Sequence, residues 1–327
     1  MNQVNWGIIG CGDVTEIKSG PAFNKVNNSS LVAVMRRDAD KAKDYAKRHN
    51  VPKWYSDASL LINDPNVNAI YVATPPSSHE EYTLAALKAG KPVYVEKPMS
   101  LDSSSASIMT KAAEKNNNKL VVAHYRRAQP LYKRIKQLLQ EKAIGETRFA
   151  RIELYKKPMT AEEMADPGRA WRVDTAIAGG GLFNDLSPHQ FDMMYYFFGE
   201  VDSASGLSTT QVHAYNADDI VGGTILFKNG VLFDGLWCFN VAPDLEKDQC
   251  EIIGSEGKIS FSFFEHKPIL LTRNGKTETI SFDPLPHVQQ PMIEQVVNYF
   301  LNQSPNPCPG EDGVTVMELI DRFTKKN

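Results

Sequence analysis

The chain has 327 residues, 42% hydrophobic and 23% charged, a composition that suits two folded domains with sizeable cores and excludes a disordered chain. Lys plus Arg (36) nearly balance Asp plus Glu (39), so the formal charge of -3 carries no global footprint for nucleic acid. The four cysteines, Cys11, Cys238, Cys250 and Cys308, make no C-x-x-C pair, metal-ligand spacing or disulfide framework, and no apolar run reaches the roughly 20 residues of a membrane helix, so a cytoplasmic chain with reduced thiols is expected.

Up to residue 123 the chain alternates short apolar runs with helical patterns. "VNWGII", "SLVAVM", "VNAIYVA", "PVYVE" and "KLVVAH" predict strands buried on both faces, because such strands show continuous apolar runs rather than alternation. Between them, "DADKAKDYAKRH", "SSHEEYTLAALKAG" and "SSSASIMTKAAEKNNN" predict helices, the second capped by Ser77 or Ser78 and ended by Gly90. This is the rhythm of a doubly wound α/β domain, assigned to residues 1–123. Residues 124–327 follow another pattern. "PLYKRIKQLLQEKAIG" predicts a helix and "ETRFARIELYKK" a long strand, a polar loop runs through "DPGRAWRVDTAIAGGG", and "FDMMYYFFG" predicts an apolar helix. From Val201 to about Phe282, strand candidates separated by Gly and Asn-Gly turns predict a large mixed or antiparallel sheet. Two helix patterns, "PMIEQVVNYFLNQ" and "VTVMELIDRFTKK", end the chain. The expected fold class is thus α/β throughout: a parallel doubly wound sheet, then a second α/β domain on a large open sheet.

The first motif is "GIIGCGDV". It follows a strand, opens a helix and heads a βαβ unit, the context in which a glycine turn binds a dinucleotide rather than merely reversing the chain. Gly10 makes the tight turn, and Gly12 lets the backbone approach a pyrophosphate at the helix N-terminus. Thr15 occupies the third position, where glycine or alanine is usual, so the helix is expected to pack slightly farther from its strand. After the second strand, "MRRD" places Arg36 and Arg37 where an acid would bind the ribose of NAD. Two guanidinium groups there suit the 2'-phosphate of NADP, unless they are simply solvated at a strand end. Asp38, just beyond, serves either NAD or the cap of the next helix.

Two further constellations carry chemistry. Lys97 in "VYVEKPMS" follows a parallel strand at its carboxyl end, where ligands bind in such sheets. In "GGGLFNDLSPHQFD", Asp185, His189 and Asp192 fall at i, i+4 and i+7 and share a face if the segment is one helix. Ser187-Pro188 offers a helix start instead, which leaves Asp185 outside.

Together, "GIIGCGDV", "ATPPSSH", "VEKP", "HYRRAQP" and "GGGLFNDLSPHQFD" resemble the glucose-fructose oxidoreductase and inositol dehydrogenase (Gfo/Idh/MocA) family over nearly the whole chain. The resemblance implies an N-terminal Rossmann domain, and a C-terminal α/β domain carrying the substrate pocket and often an oligomer interface, here of a homodimer or homotetramer. It implies a pyridine-nucleotide enzyme acting on sugars, polyols or related hydroxyl compounds, with no nucleic-acid or membrane partner. By motif position, Lys97, Asp185 and His189 become the catalytic group. Gly10, Gly12, Asp13, Val14, Arg36, Arg37, Thr74, Pro75, His79, Glu96 and Lys97 become the cofactor site, for NADP with NAD as the alternative. His124, Tyr125, Arg126, Trp171 and Arg172 join Asp185 and His189 as substrate contacts, although Trp171 equally suits core packing. An imidazole with an ordinary pKa of about 6.5 suits a base for a hydroxyl proton, and Lys97 would stabilise charge on the oxygen. Two rivals remain: a nucleotide-binding sensor without turnover, and a glycosidase that uses bound NAD for transient oxidation.

Overall fold

The computed structural model describes residues 1–324. The described residues divide into two compact units, Met1–Ala128 with Leu285–Met317, and Gln129–Pro284 with 318–324. The first unit extends a few residues past the expected division at residue 123 and includes a segment near the C-terminus.

In the first unit, six parallel strands stand in the order β3-β2-β1-β4-β5-β6. They are β1 (Val4–Ile9), β2 (Ser29–Met35), β3 (Lys53–Tyr55), β4 (Ala69–Val72), β5 (Val93–Val95) and β6 (Leu120–Val122). This is the doubly wound order with its switch point between β1 and β4, where a crevice opens beyond the carboxyl ends of the strands. Pairing sets Met35, Ile9, Val72, Val95 and Val122 side by side across the sheet, so five strands end in one row. The helices α1 (Asp13–Ile17), α2 (Ala39–Arg48), α3 (Ala58–Ile62), α4 (His79–Lys88) and α5 (Ser103–Lys115) connect them. Strand β3, three residues at the sheet edge, has too short a pattern to stand out in the sequence. Gly90 ends α4 with φ of 76°, as expected, but the Ser78 hydroxyl does not cap the helix; it turns to Thr74 Oγ1 at 2.9 Å.

The returning segment joins this unit through its apolar face. In the helix Gln290–Phe300, Met292, Ile293, Val296, Val297 and Phe300 are buried, and the Phe300 ring lies 5.4 Å from that of Trp6 on β1. Trp6 also meets Phe23 and Tyr94. Burying such side chains contributes about 1.5–3 kcal/mol each, which makes the segment part of this core despite its place in the sequence.

The second unit carries an eight-stranded sheet in the order β14-β13-β12-β11-β7-β10-β9-β8. Its strands are β7 (Thr147–Tyr155), β8 (Val201–Thr209), β9 (Ile220–Phe227), β10 (Leu232–Cys238), β11 (Lys247–Gly254), β12 (Gly257–Phe261), β13 (Ile269–Arg273) and β14 (Lys276–Ile280). Only β7 and β10 pair in parallel, so the sheet is mixed. Its helices are α6 (Pro130–Gln140), α7 (Ala161–Ala165), α8 (Pro167–Ala170), α9 (Thr175–Ala178) and α10 (Gly181–Phe198); α10 lies across one face of the sheet, where its Phe183 and Phe191 set their ring edges against Trp237 of β10. Phe323 stacks on the same cluster, and a Cβ at Gly223 would stand 2.7 Å from its ring, so glycine on the strand admits it. The helix α10 runs unbroken through Pro188, which answers the question left by Ser187-Pro188. Lacking an N–H, Pro188 leaves the carbonyl of Asn184 without its helical donor, a loss that the buried face of α10 offsets. Asp185, His189 and Asp192 are thus on one helix.

Candidate active site

The row of strand ends in the first unit sorts the predicted residues. Gly10 follows β1, Arg36 follows β2, Thr74 and Pro75 stand just past β4, Glu96 and Lys97 follow β5, and His124 stands just past β6. Residues scattered over more than a hundred positions of sequence thereby share one edge of one sheet.

The glycine turn has the geometry that a dinucleotide needs. Gly10 has φ of 94°, and a Cβ there would lie 2.7 Å from the Thr74 backbone nitrogen, so both conformation and space demand glycine. At Gly12 a Cβ would meet nothing nearer than the Gly10 carbonyl at 4.0 Å, which leaves the backbone open to a phosphate group. The residues present therefore fit the dinucleotide. The expectation of a helix N-terminus beneath the pyrophosphate needs adjustment, because α1 has only five residues and a weak summed dipole. Thr15, fully buried, turns its hydroxyl back to the Gly12 carbonyl at 2.8 Å, and its own carbonyl accepts from Tyr45 Oη at 2.7 Å. Cys11 is buried, and burial pushes its thiol up to about 11, so it stays protonated. Asp13 is exposed and Val14 half-buried.

Of the two arginines, Arg36 reaches the turn: its Nη1 donates to the Cys11 carbonyl at 3.3 Å, while Arg37 is exposed. Asp38 resolves to the cap, its carboxylate accepting from the Lys41 N–H at 3.1 Å at the start of α2.

Glu96 and His79 have their polar atoms engaged by the protein itself. Glu96, 5% exposed, accepts from Tyr71 Oη, from Gln289 Nε2 at 2.6 Å and from the Lys97 N–H at 3.1 Å. His79 is fully buried with its ring nitrogens 2.7 Å from the Thr74 carbonyl and 3.0 Å from that of Pro98. Burial holds this imidazole below its ordinary pKa, and the neutral ring donates to one carbonyl at a time. Both residues frame the loop that bears Lys97, which is half-buried and joined to Pro98 by a cis peptide bond. His124 is 1% exposed, and the guanidinium of Arg126 lies 5.8 Å from the centre of the Tyr125 ring. Gln289 went unnoticed in the sequence because 193 positions separate it from Glu96.

The second unit assembles the other group. Asp185 and His189 sit one turn apart on α10, with His189 5% exposed. Arg172 stands 3.5 Å from the Asp185 carboxylate and 4.7 Å over the Trp171 ring, and donates to the Gly168 carbonyl at 2.7 Å. Trp171 is half-buried, with its Nε1 donating to the same carbonyl at 3.1 Å, so it is a platform for the guanidinium rather than core. Phe264 sets its ring 6.0 Å from His189 at 65°. Asp248 holds that loop by accepting the N–H groups of Phe263, Phe264 and Glu265 at 3.1, 2.6 and 3.0 Å. Neither Phe264 nor Asp248 had a motif to mark it.

Residues 4–124 match the family described as "Oxidoreductase family, NAD-binding Rossmann fold", and residues 132–260 match the GFO/IDH/MocA C-terminal domain. The chain belongs to the GFO/IDH/MocA family. It is 46% identical over 322 residues to Oxidoreductase P35 of Formosa agariphila, covering 98% of each chain. It is 29% identical to trans-1,2-dihydrobenzene-1,2-diol dehydrogenase of Xenopus laevis, over 88% of this chain and 83% of the relative. The fold matches that of an aldose-aldose oxidoreductase from Caulobacter crescentus solved with glycerol, with a TM-score of 0.85 at 22% identity, covering 98% and 96% of the two chains. The sequence-based expectation of a Gfo/Idh/MocA oxidoreductase, with a parallel nucleotide-binding sheet and a large mixed sheet, is borne out. Among the described residues, no helix is long and apolar enough to cross a membrane.

Proposed function

We propose that this GFO/IDH/MocA protein interconverts a hydroxyl and a carbonyl on a sugar, polyol or dihydrodiol, with a nicotinamide dinucleotide, NADP in preference to NAD, as hydride acceptor or donor. The observation that carries the reading is the single row of strand ends bearing Gly10, Arg36, Thr74, Lys97 and His124. The dihydrodiol dehydrogenase and aldose oxidoreductase named above support the substrate class.

The roles follow from chemistry. His189 takes the hydroxyl proton or returns it. In the first unit, Lys97 is the group that donates a hydrogen bond to a reacting oxygen and stabilises the negative charge that develops there. Asp185, held by Arg172, orients either the imidazole or a neighbouring substrate hydroxyl, and Trp171 offers an apolar surface to a polyhydroxylated ring. Arg36 and Arg37 recognise the 2'-phosphate; Arg36 already lies against the glycine turn, and the neighbouring carboxylate, Asp38, is committed to its helix. Glu96 and His79 serve as frame. The protein works in the cytoplasm.

It also assembles with copies of itself through the open face of the large sheet. There Leu207 pairs across Gly222 with Leu236, and Leu226 with Leu232, all exposed. Contiguous exposed leucines on a strand face mark a contact surface.

Changing Lys97 to Ala tests the catalytic assignment. Turnover falls about 100-fold or more with cofactor affinity kept, as removal of an electrostatic or proton-transfer partner requires. A near-normal rate in that variant overturns the role.

A further inference from the structure

Glu96 is a buried carboxylate with no part in the reaction as proposed. Each of its oxygens receives hydrogen from groups that have hydrogen to give: the Gln289 amide and the Tyr71 hydroxyl at Oε1, and the Lys97 N–H at Oε2. The carboxylate thus grips the backbone of the residue on which the proposed chemistry depends.

Gln289 stands at the centre of this arrangement. It is fully buried, at the start of the helix Gln290–Phe300 in the returning segment. Its Nε2 donates to Glu96 at 2.6 Å, while its Oε1 accepts from Tyr94 Oη at 3.2 Å, which fixes the orientation of the amide. Its backbone N–H donates to the Lys18 carbonyl at 3.1 Å, just past α1, and two residues earlier His287 Nδ1 donates to the Ile17 carbonyl at 2.7 Å. One short stretch therefore seats both the end of the glycine-turn helix and the carboxylate beneath Lys97. Apolar packing of the segment would be served by a leucine at 289; a carboxamide with both ends engaged is needed only to hold a charge in place.

We propose that Gln289 is a positioning residue for Lys97, acting through Glu96. This rests on the role given to Lys97 above. Without the amide, Glu96 keeps fewer donors, the loop 96–98 loses its fixed seat, and the Lys97 ammonium is no longer held at the reacting oxygen.

The experiment compares Gln289→Leu, Tyr94→Phe, Lys97→Ala and the double variant Gln289→Leu with Lys97→Ala. Turnover is read with NADP and the sugar or polyol that reacts fastest, and the full-length protein without cofactor is followed by amide exchange and Tm. Gln289→Leu is expected to lower kcat on the order of tenfold, the cost of losing a hydrogen bond to a charged group, with NADPH Kd and substrate KM within about threefold. Tyr94→Phe lowers kcat in the same sense by less, and guards against a Gln289→Leu variant that fails to fold. Without cofactor, the Lys97 amide exchanges faster in Gln289→Leu. In the Lys97→Ala background, Gln289→Leu adds no further loss, because the two changes act through one group. Three results overturn the inference: kcat within twofold of wild type in folded Gln289→Leu; the same loss in the Lys97→Ala background; or KM rising while kcat holds. A near-normal Lys97→Ala is a different failure, since it removes the reading of Lys97 itself.

Discussion

In the proposed reading, Arg36 is the residue on which cofactor choice turns. Its guanidinium already touches the Cys11 carbonyl, which places a fixed positive charge beside the turn. Replacing it with Ala should weaken NADPH binding about tenfold or more, the value of a charge-assisted hydrogen bond to phosphate, and leave NADH within about twofold. Equal losses for the two cofactors, measured by fluorescence titration, would contradict the NADP preference. Arg36, Lys97, Asp185 and His189 were legible because each stands at a fixed offset from a glycine, a strand end or a helical neighbour. Gln289, Phe264 and Asp248 were not, because their partners lie across the fold. A buried amide 193 positions from its carboxylate leaves no local pattern to read.

At the scale of elements, the glycine turn and the helices around it carry two predictions. Gly10→Ala places a methyl 2.7 Å from the Thr74 nitrogen at a positive φ, a strain of about 1–3 kcal/mol or more. The Tm should fall by roughly 3–10 °C with cofactor affinity lost alongside; a variant with unchanged Tm would show that the turn relaxes freely. Glu16 of α1 is the second case. Hydrogen bonds from Arg48 at 2.7 and 2.8 Å, then from His49, lower its carboxyl from 4.5 to about 2. A depressed folded pKa gives stability that is present above 4.5 and lost as pH falls toward 2. The Tm gap between wild type and Glu16→Gln should therefore be largest near neutral pH and close over that acid window; a gap independent of pH would exclude the linkage. Most elements were predictable from their apolar runs. The exceptions have physical causes: β3 borrows its stability from β2 rather than from its own three residues, and α10 continues through Pro188 because its buried face outweighs one missing hydrogen bond.

For the whole molecule, the fold class was legible because strand-helix alternation and Gly-punctuated strands are repeated many times over. The division into units was legible only in part, since the helix Gln290–Phe300 looks like any amphipathic helix until Phe300 is seen against Trp6. The open leucine face predicts self-association: Leu236→Glu with Leu232→Glu should shift the native mass by light scattering toward that of one chain. An unchanged mass would point to another interface. The proposed function is turnover of a hydroxyl compound with NADP by this GFO/IDH/MocA chain. Its direct test titrates the purified protein with NADPH and NADH, then follows nicotinamide absorbance across sugars, polyols, their keto forms and trans-dihydrodiols. Tighter NADPH binding with turnover of at least one compound is the predicted result. Tight binding with no absorbance change anywhere on the panel would contradict it, and would favour a sensor or a hydrolase that retains its cofactor.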